Sequence, residues 1–152
     1  MKYDNALEKE IINLNDNIST VLSVFNFQIK HNLELIINID TKLTILGYDI
    51  KLYQLWSNLI KNAIDACPKG GKLSIYSVET LTHIQINVEN SGETIPKEIM
   101  DKMFAKFFTT KGKAHGTGLG LTIVKNVVDE HAATINVSSK DNLTRFTIDF
   151  PK

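Results

Sequence analysis

The sequence predicts an α+β fold, a two-layer sandwich in which three helices cover one face of a mixed sheet of five or more strands. Three observations predict it. Apolar residues recur at helical spacing in three segments, near 16–29, 49–67 and 118–131. Short stretches between and after them alternate apolar and polar residues with the period of two that strands require. Helices and strands succeed one another irregularly, with hairpin-like pairs in the second half, unlike a regular βαβ chain. The open sheet face is expected to meet solvent or a neighbouring domain.

Residues 1–9 are polar and charged and read as a lead-in segment, with the domain itself over 10–152. Ile11 to Leu14 reads as a short strand. Asn15 or Asp16 is expected to cap the first helix, whose Ile18, Val21, Leu22, Phe25 and Ile29 share a face. LELIINID (33–40) and LTIL (43–46) read as strands, because Leu33, Leu35, Ile37 and Ile39 alternate. Asp49 is expected to cap the second helix, which runs to about Cys67 and is stopped by Pro68 and Gly70-Gly71. KLSIYSVET (72–80) and THIQINVE (82–89) predict a hairpin, and NSGETIP (90–96) a turn-rich loop. Residues 97–117 mix short helical signals with loop residues. The third helix is expected from about Gly118 to His131, after which TINVSS (134–139) and RFTIDF (145–150) close the chain as strands.

A length of 152 residues suits one domain with a core that stands without metals or disulfides. Lys plus Arg equals Asp plus Glu at 17 each, which argues against nucleic-acid or anionic-membrane binding. Cys67 is the single cysteine, so no intrachain disulfide forms, and its place at the end of an apolar helix suits plain packing. The N-terminus has no apolar signal core, and no run reaches ~18 apolar residues. A cytoplasmic domain without membrane contact is the default expectation.

On a wheel at about 100° per residue, the second helix places Leu52, Leu55, Trp56, Leu59, Ile60 and Ala63 on one side. Asn58, Asn62 and Asp65 fall together on the other, flanked by Gln54 and Lys61. Two asparagines one turn apart can aim side-chain oxygens at one point, and neutral oxygen suits Mg²⁺, which keeps several waters and relies largely on substrate phosphates. On spacing alone, a solvated helix face is the commoner reading of such a stripe.

Gly116, Gly118 and Gly120 lie in GTGLG, directly before the third apolar helix. Glycines let backbone approach an anion, and a helix N-terminus adds unsatisfied N–H groups and partial positive charge. Thr109, Thr110, Lys111 and Lys113 add hydroxyls and charge upstream. No Lys-Ser/Thr follows the last glycine, and no strand precedes a G-x-G-x-x-G, so neither the P-loop nor the Rossmann fingerprint is met. Taken alone, the segment is equally a flexible loop before a glycine-rich helix start.

The motifs occur in a recognisable order. QLWSNLIKNAIDA (54–66) resembles the N box of the histidine kinases, within the ATPase family they share with gyrase, Hsp90 and MutL. NSGETIP (90–96) is similar to their G1 box, MFAKFFTTK (103–111) to the F box, and HGTGLGLTIVKNVVDEH (115–131) to the G2 box and its helix. The resemblance covers about residues 10–151. It implies the Bergerat ATP-binding fold, with ATP and Mg²⁺ as cofactors and a protein-histidine kinase activity of the two-component kind. It implies Asn62 as the Mg²⁺ ligand, Asn58 beside the phosphates, and Lys111 with the glycines neutralising developing phosphate charge. The nucleotide contacts it implies are Asn58, Asn62, Asp65, Asn90, Gly92, Thr94 and Ile95. From the lid it adds Phe107, Thr109, Thr110, Lys111, Gly116, Thr117, Gly118, Leu119 and Gly120. Residues from about Lys97 to Thr117 would form a mobile ATP lid, tied to the domain or a partner helix by Phe107 and Phe108. Gyrase-like and MutL-like relatives carry a water-activating glutamate at the position matching Asn58. An amide is no general base, which favours phosphoryl transfer to a side chain over hydrolysis.

The G1 box usually reads Asp-x-Gly-x-Gly, and here Asn90, Gly92 and Thr94 stand in it. Charge-assisted hydrogen bonds contribute ~1.5–3 kcal/mol against about 1 for neutral ones, so ATP affinity is expected to fall roughly tenfold. Thr94 replaces a glycine, and positive φ there would be costly for threonine. Glu89 is a poor stand-in for the missing acid, because a one-residue slip in a strand turns the side chain to the other face. Ala132-Ala133 occupy a common Gly-Gly position.

None of His31, His83, His115 and His131 resembles the phosphoacceptor, so each is read as satisfied or solvated. The acceptor is expected on a separate histidine-bearing dimerisation domain, in cis in the full-length protein, with a response regulator downstream. Two alternatives remain open at this level: a degenerate docking module that binds nucleotide poorly, and a serine kinase of the anti-sigma-factor type on the same fold.

Overall fold

A computed structural model describes residues 8–103 and 120–152. Strand β1 (Glu10–Asn13) leads into helices α1 (Leu14–Val24) and α2 (Asn26–Asn32), then β2 (Leu33–Asn38) and β3 (Thr44–Gly47). Helix α3 (Asp49–Ala66) precedes β4 (Gly71–Glu79) and β5 (His83–Ser91). A single turn, α4 (Lys97–Met100), is followed by helix α5 (Gly120–Glu130) and strands β6 (Thr134–Lys140) and β7 (Leu143–Pro151). None of the described helices is long and apolar enough to cross a membrane.

Five strands form a mixed sheet in the order β2-β4-β5-β7-β6, with β2 parallel to β4 and every other neighbour antiparallel. Strands β1 and β3 make a separate antiparallel ribbon, so β2 and β3 do not pair despite adjoining in sequence. Alternation turns Leu73, Ile75, Ile84, Ile86, Val88, Phe146, Ile148 and Phe150 inward, all buried. Ile18 and Val21 of α1, the predicted apolar stripe of α3 and Val124, Val127 and Val128 of α5 join them in one core. Each fully buried large apolar side chain contributes about 1.5–3 kcal/mol relative to exposure, so the six buried residues of α3 anchor that helix most firmly.

The open face mixes polar pairs with the exposed apolar side chains of Ile36 and Val78. Arg145 Nη1 donates to Tyr76 Oη at 3.3 Å and lies 4.0 Å from Glu89, and Thr147 Oγ1 donates to Asn87 Oδ1 at 2.7 Å. Glu89 thus points away from the core, as the strand period demands.

Several boundaries differ from the sequence expectation, each for a tertiary reason. Helix α1 starts at Leu14, because Asn13 Oδ1 accepts from Asp16 N at 2.9 Å and caps it, leaving Leu14 fully buried rather than closing the strand. The segment through Ile29 is two helices, interrupted at Phe25, whose N–H turns back to Leu22 and Ser23 carbonyls. Tyr48, not Asp49, precedes α3 in extended geometry, while the Asp49 carboxylate accepts from Asn17 Nδ2 at 2.8 Å. Ile37, on the edge strand β2, remains 44% exposed.

Beyond α5, Ala132 takes φ 53°, with its N–H on Asp129 O and the Ala133 N–H on Val128 O. This is a left-handed helix stop that glycine adopts freely and alanine only at about 1–2 kcal/mol. His131, just before it, is 6% exposed and ties α5 to the start of α3. Its Nε2 accepts from Tyr48 N at 3.0 Å, which puts the ring proton on Nδ1, donating to Val127 O at 2.7 Å. A Cβ at Gly47 would sit 2.8 Å from this ring, so only glycine leaves room for it.

Burial pushes the His131 pKa below its ordinary value, and Lys9 and Lys51 push the same way. Below the unfolded value of about 6.5, the unfolded chain binds a proton that the folded one resists. This contribution to stability is complete above that pH and is lost as pH falls towards the depressed folded value. Melting temperature is expected to drop through that window in the parent chain. In His131→Gln, which keeps an acceptor for Tyr48, the slope flattens.

Candidate nucleotide site

The candidate site lies along α3, on the side its apolar stripe leaves uncovered. Asn58 and Asn62 are half-buried there, and Asp65 is exposed, with its carboxylate 3.0 Å from Lys61 Nζ. Asn58 Nδ2 donates to Gln54 O at 2.8 Å, a bond one turn back that fixes the amide and leaves Oδ1 as its outward end. That oxygen meets α5. A Cβ built on Gly120 would lie 3.1 Å from Asn58 Oδ1, tighter than ordinary contact. The first residue of α5 therefore approaches the asparagine helix as closely as it does because it is glycine. The last glycine of GTGLG and the first asparagine of the N box, far apart in sequence, are in contact.

The opposite end of the site is set by β5. Asn90, 3% exposed, continues the inward series of Ile84, Ile86 and Val88, and its Nδ2 donates to Ser91 O at 2.9 Å. Its acceptor end is thus the amide carbonyl. Gly92 is 2.6 Å, at its would-be Cβ, from Ala66 O, so the loop after β5 presses on the last turn of α3. From Asn58 to Ala66 the helix rises roughly 12 Å. Along that length lie, in order, the α5 N-terminus, Asn62 one turn on, and the buried amide of Asn90. An elongated ligand with an anionic end at α5 and a hydrogen-bonding ring at Asn90 suits this strip.

Thr94 departs from expectation. It does not take positive φ, and its exposed side chain turns to the β6–β7 turn, accepting from Asn142 N at 2.8 Å. The Ile95 N–H donates to Ser139 Oγ at 2.8 Å. Both residues hold the loop against the hairpin, a role the sequence alone does not reveal. Lys111, Phe107, Phe108, Thr109, Thr110, Gly116, Thr117, Gly118 and Leu119 lie outside the described residues.

Among the described residues no cluster of His, Cys, Asp or Glu could hold a metal ion. The donor chemistry on α3 fits Mg²⁺ through an amide oxygen combined with phosphate oxygens and water. A groove of about 550 Å³ lies elsewhere, between β1, α1 and the start of α3, lined by Glu10, Ile12, Asp16, Asn17 and Tyr53. None of the expected site residues lines it, and it touches neither the glycine nor the inward amide, so it is not the nucleotide site.

Comparison with known proteins agrees with this fold. Residues 47–152 match the family model described as histidine kinase-, DNA gyrase B-, and HSP90-like ATPase. The chain is 38% identical over 107 residues to sporulation kinase A of Bacillus subtilis, covering 70% of this chain and 17% of that protein. It is 31% identical over 149 residues to the sensor histidine kinase CusS of Escherichia coli, covering 95% of this chain and 31% of that protein. It therefore spans less than a third of either relative. The catalytic domain of the histidine kinase ThkA superposes with a TM-score of 0.87 at 35% identity, over 96% of this chain and 97% of that one. ThkA in complex with the response regulator TrrA gives 0.81 at 33% identity, over 96% of this chain and 42% of that one.

Proposed function

Since the chain belongs to the histidine kinase-, DNA gyrase B- and HSP90-like ATPase family, and has the fold of histidine kinase catalytic domains, we propose that it is the ATP-binding catalytic domain of a sensor histidine kinase. In this reading residues 10–152 form the domain and 1–9 lead into it. The γ-phosphoryl group of ATP passes to a histidine on a separate dimerisation domain, and from there to a response regulator. The observation that carries the reading is the contact of Gly120 with Asn58 Oδ1, which joins the asparagine helix and the α5 N-terminus into one phosphate-facing surface.

The roles follow from the chemistry. Asn62, assisted by Asn58, would hold Mg²⁺, which when bound neutralises phosphate charge. The α5 N-terminus offers N–H groups and dipole to the same phosphates. The inward carbonyl of Asn90 accepts from the adenine amino group. Because no carboxylate occupies position 58, water lacks a base, and the chain's own contribution is positioning and electrostatic stabilisation.

The test is incubation of the chain with γ-labelled ATP and an isolated helical dimerisation domain of a related kinase. Acid-labile, base-stable label on that domain is expected. No label, or acid-stable label on serine, would move the assignment to a docking module or to a serine kinase.

A further inference from the structure

We infer that Thr94 and Asn142 are positioning residues that hold Asn90 in its nucleotide-binding orientation, so that a hydroxyl clasp takes over the work of the glycine usual at position 94. The inference rests on the nucleotide site proposed above.

Five bonds carry it. The turn joining β6 to β7 places Asp141 and Asn142 both in the left-handed region, at φ 53° and 61°. That conformation turns the peptide groups of Asn142 toward the loop after β5. The Gly92 N–H donates to Asn142 O at 3.0 Å, and the Asn142 N–H donates to Thr94 Oγ1 at 2.8 Å. Thr94 Oγ1 donates in turn to Asn142 Oδ1 at 3.4 Å. One loop further, the Ile95 N–H donates to Ser139 Oγ, which is 2.8 Å from Thr144 Oγ1. Thr144 is buried and stands directly across from Asn90 in the β5–β7 register.

The loop is therefore gripped on two sides. Ala66 O blocks it from α3, and Asn142 holds it from the hairpin. Asn90 depends on that grip, because its amide is oriented by a bond to the carbonyl of Ser91, the residue immediately before Gly92. If the Gly92–Thr94 backbone rotates, the Ser91 carbonyl moves and the acceptor end of Asn90 loses its aim. Thr94 is exposed, so its hydroxyl contributes nothing to the core, and its contribution is to the order of the loop.

The experiment is a set of Mg-ATP titrations on the full chain, with ATP and GTP measured in parallel. Thr94→Val, which keeps shape and removes the hydroxyl, is expected to weaken ATP binding about threefold to tenfold and to lower the preference for ATP over GTP. Thr94→Ser is expected to restore both. In an Asn90→Ala background the Thr94→Val effect is expected to shrink below about twofold, the non-additivity of residues that act through one another. Equal affinities for the parent and Thr94→Val, or an undiminished effect without the Asn90 side chain, would overturn the clasp. If Asn90→Ala does not fold, the Val and Ser pair decides alone. A parent chain that binds no nucleotide at all would instead remove the site on which the inference rests.

Discussion

Asn62→Ala is expected to weaken Mg²⁺-dependent ATP binding by about a hundredfold, because even partners that only orient a metal ligand cost ten- to a hundredfold when lost. Asn62 sits on the uncovered side of α3, one turn from Asn58, and its replacement leaves the buried stripe of Leu52, Leu55, Trp56, Leu59, Ile60 and Ala63 intact. The distinguishing measurement is titration with and without EDTA. The loss should be large with Mg²⁺ and small in its absence, since a magnesium ligand has nothing to hold when the metal is gone. Equal losses in both conditions would mean that Asn62 touches the nucleotide directly, or only supports the fold.

Asn90→Asp carries the second large effect and changes two quantities in opposite directions. With adenine in place, a carboxylate accepting from the amino group converts a neutral hydrogen bond into a charge-assisted one, worth about 1–2 kcal/mol or roughly a tenfold gain in affinity. Without nucleotide, the same carboxylate is buried where Asn90 is 3% exposed and faces the Ser91 carbonyl that the amide now bonds. Burial of an unpaired charge is unfavourable, so the apo melting temperature should fall while the ATP-induced rise grows. Calorimetric titration and thermal melts with and without Mg-ATP read both. A variant unchanged in affinity would place the adenine away from the end of β5.

The parts of this account legible in the sequence are those that local periodicity determines. The apolar stripe of α3, the β4–β5 hairpin and the polar line of Asn58, Asn62 and Asp65 follow from spacing of 3.6 or 2 residues, and the structure places them accordingly. The rejection of Glu89 as a substitute for Asn90 followed from the same period, and Glu89 lies on the face with Arg145. What was not legible depends on distant partners. The Tyr48–His131 bond joins residues 83 apart and the Thr94–Asn142 clasp residues 48 apart, and no window of sequence contains either. The pairing of β1 with β3 rather than β2 with β3 is of the same kind. The interruption at Phe25 has no glycine or proline to announce it. Asn13, Asn15 and Asp16 are all competent caps, so the cap expected at Asn15 or Asp16 lies two or three residues beyond the one the structure uses, Asn13.

The central claim is that α3 and the N-terminus of α5 enclose one metal-bound triphosphate, with Asn90 at the base. Paramagnetic broadening by Mn²⁺-ATP, read by NMR on the labelled chain, tests it most directly. The account predicts the strongest broadening at the side-chain amides of Asn62 and Asn58 and the backbone amide of Gly120, with Asn90 weaker and Asn87 and Arg145 on the open sheet face unaffected. Broadening centred on the open face, or on the groove beside Asn17, with the Asn58 and Asn62 signals sharp, would contradict it.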